Sequence, residues 1–317
     1  MKNSYPDKQR TLAGEFSVTG KGLHTGLEST VIFHPAPDNS GYKIRRVDLP
    51  DKPLIDAHAE NVLSTNRGTV LSVNGIQVGT VEHALAALYA NGIDNCFIDV
   101  DAPEFPILDG SSIQYVHKII ECGIQEQSME REYYIPGQTI EYTDMLSGTR
   151  LILSPSDKFS IYTQISFDSV ILDVQSANLK ELSEFNQEIS MCRTFVFVRE
   201  IEMLLKNGLI RGGDLDNAIV IYDHPVSQSR FDQIADMIKV ERRDATNLGY
   251  IMNKPLRFPN EPARHKILDI LGDISLIGRF IKGMIISVCP GHKANNMFAR
   301  AILEDMKTTA VTIEENV

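Results

Sequence analysis

Several residue types and patterns are scarce or missing in this 317-residue chain, and each absence argues against a class of protein. Tryptophan is absent, and the four cysteines stand at irregular spacings without a C-x-x-C pair. This usage is typical of a reducing compartment and argues against a disulfide scaffold. No apolar run approaches the roughly 18 residues of a membrane span, and the polar N-terminus lacks the core of a signal peptide. We therefore expect a cytoplasmic protein without a transmembrane segment.

Positive charge is also in short supply. The formal net charge is −11, and no long basic run occurs, so we expect neither nucleic acid nor an anionic membrane as a partner. A local basic pocket for an anionic substrate stays possible, because net charge says little about one cleft. Phosphate-binding glycine patterns are missing as well, since neither G-x-x-x-x-G-K-[ST] nor G-x-G-x-x-G occurs.

The remaining pattern mixes strands and helices. Caps and apolar spacing predict a helix from Thr80, as N-cap, to Tyr89, and a long helix from about Asn260 to Lys282. Residues 290–292 are predicted to form a turn. The polar segment 125–131 has no apolar period and is predicted to be an exposed linker. It would separate an N-terminal domain, 1–127, from a C-terminal domain, 128–317.

Two residues of the long helix could share a metal ion. His265 and Asp269 are four positions apart, which places both side chains on one helix face. The spacing alone is weak evidence, because such a pair is more often a surface hydrogen bond. Apolar neighbours indicate that the helix is partly buried, and a buried Asp269 needs a fixed partner such as a metal. Asp273, one turn further on, could orient a histidine or could be a solvated carboxylate.

Two other sites carry residues suited to acid–base chemistry. Glu82 and His83 lie in the first turn of the Thr80 helix, where the helix dipole favours an ionised Glu82 and a neutral His83. Glu82 could equally satisfy free N–H groups at the helix start. His292 follows Gly291 and is accessible enough to act as an acid, or it is an ordinary surface histidine. No H-E-x-x-H pattern of the common zinc proteases occurs.

The order of these signals resembles the UDP-3-O-acyl-N-acetylglucosamine deacetylase family, zinc enzymes of lipid A synthesis. The resemblance covers roughly residues 20 to 300. It rests on seven segments: Gly22-Leu23-His24-Thr25-Gly26, Thr80-Val81-Glu82-His83, Gly92-Ile93-Asp94-Asn95, residues 102–111 (APEFPILDGS), Arg193-Thr194-Phe195, Arg264-His265-Lys266 through Asp273, and Gly291-His292.

The resemblance implies a fold and a substrate. The fold is α+β, with two similar domains that each contain a sheet, two helices and an insert, and the active site lies between them. The second insert, about 195–222, would line a passage for the acyl chain of a UDP-sugar substrate. Its wall candidates, which could equally be insert core, are Ile201, Leu204, Ile210 and Val220. Phe167 and Phe197 are implied to contact the uridine.

The resemblance also implies a role for each candidate catalytic residue. The ligands of Zn²⁺ would be His83, His265 and Asp269, and Glu82 would be the general base that acts on water. The Thr194 hydroxyl and Lys266 would help stabilise the oxyanion. His292, oriented by Asp273, would protonate the departing amine, and acetate would be released.

One position departs from the family. Cys289 stands where members usually have a lysine or arginine that is thought to help bind the nucleotide.

Two other functions stay open. A zinc hydrolase acting on a peptide or another acetylated sugar is one alternative. A non-catalytic protein with a structural zinc is the other, although structural sites usually have four protein ligands, often cysteines.

Overall fold

Two five-stranded sheets of matching strand order organise the computed structural model, which describes residues 8–314 and their side chains through residue 308. The first half is residues 8–130. Its elements are β1 (Lys8–Leu12), β2 (Phe16–Lys21), β3 (Glu28–Pro35), β4 (Tyr42–Arg46), β5 (Leu54–Asp56), β6 (Val62–Ser64), β7 (Val70–Val73), β8 (Ile76–Val78), α1 (Glu82–Ala90), β9 (Cys96–Val100), α2 (Ile113–Cys122) and β10 (Ile124–Glu130).

The second half is residues 131–314. Its elements are β11 (Tyr133–Tyr134), β12 (Ile140–Asp144), β13 (Thr149–Pro155), β14 (Ser160–Ile165), β15 (Gln175–Leu179), α3 (Phe185–Glu188), β16 (Phe195–Phe197), α4 (Val198–Lys206), β17 (Ile219–Tyr222), α5 (Gln228–Met237), β18 (Gly249–Ile251), α6 (Glu261–Ile274), β19 (Phe280–Ile281), β20 (Gly283–Val288) and α7 (His292–Glu314).

The two halves share one topology. The sheets have the orders β2-β3-β9-β4-β5 and β12-β13-β20-β14-β15. In each, the last strand along the chain enters the middle, antiparallel to one neighbour and parallel to the other. A three-stranded sheet is inserted in each half before a helix, as β6-β7-β8 and β16-β17-β18. The predicted α+β fold of two similar sheet-plus-helix units is confirmed.

The second insert is larger than the sequence indicated. The predicted range 195–222 contains β16, α4 and β17, but the inserted sheet continues to β18 at Ile251 and also includes α5. Side chains of both helices and of β17 form an apolar core of their own, separate from the main core. We therefore use "second insert" for residues 195–251.

The halves meet where α1 crosses α6. Both helices are buried along nearly their whole length, which explains why neither shows a strong amphipathic stripe. At the crossing, a Cβ atom on Gly272 would lie 2.2 Å from the carbonyl oxygen of Glu82. Glycine at this position lets the N-terminus of α1 rest directly on α6.

Several sequence predictions need correction. Residues 124–130 form the exposed strand β10, which pairs with β1, so the predicted linker 125–131 is wrong and the predicted domain boundary falls inside a strand. The long helix ends at Ile274 instead of Lys282, and a left-handed Gly278 follows it. Of the predicted turn at 290–292, His292 is instead the first residue of α7, and Pro290 and Gly291 lead into it.

Thr80 is not the N-cap of the first helix. Val81 holds that position, and Thr80 has a φ of +55°. Its hydroxyl donates to Glu104 Oε1 at 2.8 Å instead of capping α1. Within residues 8–314, no helix combines the length and apolar character that crossing a bilayer requires.

Candidate metal centre

The crossing of α1 and α6 brings the three predicted metal ligands together. His83 lies in the first turn of α1, and His265 and Asp269 lie one turn apart on α6. One ligand atom from each falls within 4.8 Å of the other two, and all three residues are buried. We call these residues the three-ligand group.

Two atoms of this group that could bind a metal have no hydrogen-bond partner within the described chain. Nδ1 of His83 and Oδ1 of Asp269 are buried and have no hydrogen-bond partner. Nδ1 of His265 lies 3.0 Å from the carbonyl oxygen of Cys192, which leaves Nε2 facing Asp269 Oδ1 at 3.2 Å. Buried polar atoms are normally satisfied, so these unpaired atoms fit a bound cation. Two imidazoles and one carboxylate suit Zn²⁺ with an open coordination position.

The ionisation states also suit metal ligation. Burial, reinforced by the neighbouring His265, lowers the pKa of His83 to about 3, so its imidazole is neutral near pH 7. Burial alone would raise the pKa of Asp269, but His265 and Lys266 outweigh it and hold that pKa well below its usual range. A neutral imidazole and an ionised carboxylate are the forms that bind metal.

Glu82 lies beside the three-ligand group with its carboxylate buried. Its Oε2 accepts a hydrogen bond from the backbone N–H of Thr69 at 3.1 Å, and its Oε1 lies 3.8 Å from His292 Nε2. Burial raises the pKa of Glu82 to about 7, despite the opposing effect of His292. A carboxylate with this pKa can accept and release a proton near neutrality.

His292 approaches the same point from the start of α7. Its Nδ1 lies 2.9 Å from Asp273 Oδ2, so the predicted orienting partner is in place. Asp273 also accepts from Asn295 Nδ2 at 2.8 Å and from Thr69 Oγ1 at 2.5 Å. Burial alone would lower the pKa of His292, but the carboxylates of Asp273 and Asp269 raise it to about 10. The imidazole is therefore cationic near pH 7 and can donate a proton.

Lys266 and Thr194 are two further polar residues near the three-ligand group. Nζ of Lys266 donates to Asp269 Oδ2 at 2.8 Å and lies 5.1 Å from the centroid of the Phe195 ring. The backbone N–H of Thr194 donates to the carbonyl oxygen of Gly110 at 2.8 Å, which fixes this residue beside the first half. Both residues line the cavity that opens at the three-ligand group.

This cavity, of about 120 Å³, runs from the three-ligand group into the second insert, and we call it the apolar cavity. All four predicted wall residues line it, namely Ile201, Leu204, Ile210 and Val220. Phe167 and Phe197 do not; they pack against each other with ring centroids 5.2 Å apart, and Phe197 is buried. A more open polar cavity of about 540 Å³ contains none of the candidate site residues.

Sequence reasoning missed several residues of this site. Asn295 lies one turn beyond His292, and a prediction of α7 would have revealed it. Thr69 and the carbonyl of Cys192 carry no recognisable sequence signal, because tertiary packing alone brings them to the site. Arg67, in a loop of the first half, also lines the apolar cavity, beside His24 of the segment 22–26 that the resemblance had included.

Comparison with known proteins shows which family this sequence matches. The family model for UDP-3-O-acyl N-acetylglycosamine deacetylase matches residues 9–236 and 245–304. A relative from Myxococcus xanthus is named UDP-3-O-acyl-N-acetylglucosamine deacetylase. It is 37% identical over 298 residues, which cover 94% of this chain and 87% of the relative.

Bifunctional relatives are more similar in sequence. "Bifunctional enzyme LpxC/FabZ" from Porphyromonas gingivalis is 56% identical over 300 residues, and its counterpart from Bacteroides thetaiotaomicron is 55% identical. Each alignment covers 95% of this chain but only 65% of the relative. The chain therefore spans about two thirds of the length of these bifunctional proteins.

Proposed function

Because the chain belongs to the UDP-3-O-acyl N-acetylglycosamine deacetylase family, we propose that it hydrolyses the acetamide of UDP-3-O-acyl-N-acetylglucosamine in lipid A synthesis. The proposal includes Zn²⁺ as the metal, held by His83, His265 and Asp269. The observation that carries it is the convergence of these ligands, a carboxylate of raised pKa and a cationic histidine at one end of an apolar cavity.

Bound Zn²⁺ supplies a Lewis acid and lowers the pKa of water to about 7. Glu82 is positioned to take the proton of the attacking water, because its carboxylate adjoins the three-ligand group and its pKa is about 7. Thr69 holds one carboxylate oxygen, so the other faces the reaction. A general base whose pKa lies near the working pH is the most effective.

His292 is the proposed acid for the departing amine. Asp273 fixes its ring through Nδ1, which leaves Nε2 directed toward Glu82 and Asp269. The Thr194 hydroxyl and the Lys266 ammonium stabilise negative charge that develops on the acetamide oxygen. The products are acetate and a nucleotide sugar with a free amine.

The apolar cavity gives the proposed substrate class its physical basis. Its walls are aliphatic side chains of the second insert, and its polar end is the three-ligand group. An acyl chain that enters it removes apolar surface from water, and each Å² removed contributes about 25 cal/mol of favourable free energy. This feature supports a lipid-bearing sugar over a peptide or an unacylated sugar. Contacts of Phe167 and Phe197 with the uridine, and a cytoplasmic location, stay predictions.

The test is acetate release from UDP-3-O-(hydroxyacyl)-N-acetylglucosamine before chelation, after chelation and after zinc restoration. We expect release to stop with the chelator and return with zinc. Glu82→Gln should keep the fold and one bound zinc while turnover falls about 10²-fold or more. Unchanged turnover in this variant would remove Glu82 as the base. A wild type that binds zinc but releases no acetate would favour a structural metal.

A further inference from the structure

Glu104 belongs to the segment 102–111 that the family resemblance singled out, yet it contributes nothing to the proposed chemistry. Its side chain is buried and accepts four hydrogen bonds. Oε1 accepts from the His24 N–H and the Thr80 hydroxyl, each at 2.8 Å. Oε2 accepts from the Thr25 N–H at 2.8 Å and the Thr25 hydroxyl at 2.7 Å.

One side of this network leads to the start of α1. Thr80 has a φ of +55°, which is a strained conformation for a β-branched residue. It stands two residues before Glu82 and three before His83. The bond from its hydroxyl to Glu104, together with the backbone pairing of Gly79 and Pro103, holds this strained entry to the helix.

The other side leads to the wall of the apolar cavity. Residues 22–26 pair with residues 210–213 of the second insert, and we call the latter the docking loop. The Gly212 N–H donates to Leu23 O at 3.0 Å, and the Arg211 N–H donates to His24 O at 3.2 Å. A Cβ atom on Gly212 would lie 2.2 Å from Gly22 O, so the two backbones touch. Ile210, in this docking loop, lines the cavity.

We propose that Glu104 is a positioning residue that keeps the acyl-binding wall in register with the base and metal ligand on α1. The catalytic part of this inference rests on the proposed function, and the structural part does not. One buried carboxylate fixes residues 22–26 and Thr80 at the same time. Through residues 22–26 it also fixes the docking loop.

Glu104→Gln breaks this network in either amide orientation. The amide NH₂ must face either the His24 N–H or the Thr25 N–H, so one partly buried backbone donor loses its acceptor. Glu28→Gln is the matched control, because Glu28 is exposed at the start of β3 in the same half.

The first measurement is amide hydrogen exchange. We expect exchange of residues 22–26 and of the docking loop to accelerate about tenfold or more in Glu104→Gln, whereas β13 and β20 exchange as in the wild type. Acceleration confined to residues 22–26 would overturn the proposal. If Glu104→Gln does not fold, Thr25→Val removes only one of the four bonds and should accelerate the same two segments to a smaller extent; an unchanged docking loop would again overturn it.

The second measurement is the dependence of KM and kcat on acyl-chain length. In Glu104→Gln with zinc retained, we expect the KM for a long-chain substrate to rise about tenfold and kcat to fall, because a displacement of about 1 Å is costly to catalysis. The preference for the long chain over a short one should shrink, whereas Glu28→Gln keeps the wild-type preference. An unchanged preference would refute the role. If the wild type releases no acetate, the proposed function fails, and hydrogen exchange still decides the role of Glu104.

Discussion

Replacement of Gly272 by alanine tests the contact on which the whole site depends. The added Cβ atom would lie 2.2 Å from the carbonyl oxygen of Glu82 and 2.8 Å from its Cα. The helices α1 and α6 would have to separate by about 1 Å before these atoms reach ordinary van der Waals distance. That movement would carry Glu82 and His83 away from His265 and Asp269.

Two opposing contributions set the expected stability. Alanine in a helix interior is favoured over glycine by about 0.8–1 kcal/mol. Overpacking in a closely packed core costs about 1–3 kcal/mol, and backbone atoms at this crossing cannot rotate away as a side chain could. This contact therefore falls in the upper part of that range, about 2–3 kcal/mol, and we expect Gly272→Ala to lower the free energy of unfolding in urea by about 1–2 kcal/mol.

Metal binding gives an independent measure of the same displacement. Metal–ligand distances tolerate only about 0.2 Å of error, so we expect the zinc affinity of Gly272→Ala, measured by chelator competition, to fall at least about tenfold. Gly137→Ala is the matched control, because no atom lies within 4 Å of a Cβ added there. If Gly272→Ala were as stable as the wild type and bound zinc as tightly, the close crossing described above would be incorrect.

Two further changes test the surroundings of the site. Glu261→Gln should lower the free energy of unfolding by about 3–5 kcal/mol, because it leaves the buried Arg193 guanidinium without its carboxylate. Burial alone would raise the pKa of Glu261, but hydrogen bonds from Arg193 hold it below its usual range. Wild-type stability should therefore fall as the pH drops below about 4.3, the usual pKa of a glutamic acid, and more steeply than in the variant. Asp273→Asn should keep bound zinc and lower kcat about 10–100-fold, since the amide cannot accept from His292, Asn295 and Thr69 together.

Each of these outcomes has a direct check. Urea unfolding at several pH values distinguishes the Arg193 pair from a surface interaction, whose loss would cost less than about 1 kcal/mol. For Asp273→Asn, steady-state kinetics with zinc content measured on the same samples separates a loss of proton transfer from a loss of metal. A variant with wild-type kcat would show that Asp273 does not orient the acid.

The sequence indicated which residues lie together at the candidate site better than it indicated the structure that supports them. His265 and Asp269 could be paired from helical spacing, because both lie on one element. Their meeting with His83 depends on the crossing of α1 and α6, which no local pattern encodes. The family resemblance supplied that contact, and the structure shows that Gly272 makes it sterically possible.

The errors had specific physical causes. Polar residues 125–131 look like a linker because β10 is an exposed strand whose stability comes from pairing with β1. Thr80 looks like an N-cap, but a buried carboxylate competes successfully for its hydroxyl. The sequence does not indicate the start of α7, because Pro290-Gly291-His292 resembles a turn, although a turn can also lead into a helix.

The repeated strand order has a consequence for how the site could be assembled. The helices α1 and α6 occupy equivalent places in the two halves, each between an inserted sheet and the strand that completes the main sheet. The residues of the three-ligand group are divided between these two counterparts, so neither half alone holds all three. A cut in the chain between the halves would therefore separate His83 from His265 and Asp269, and the two pieces would have to reassociate before the group is complete.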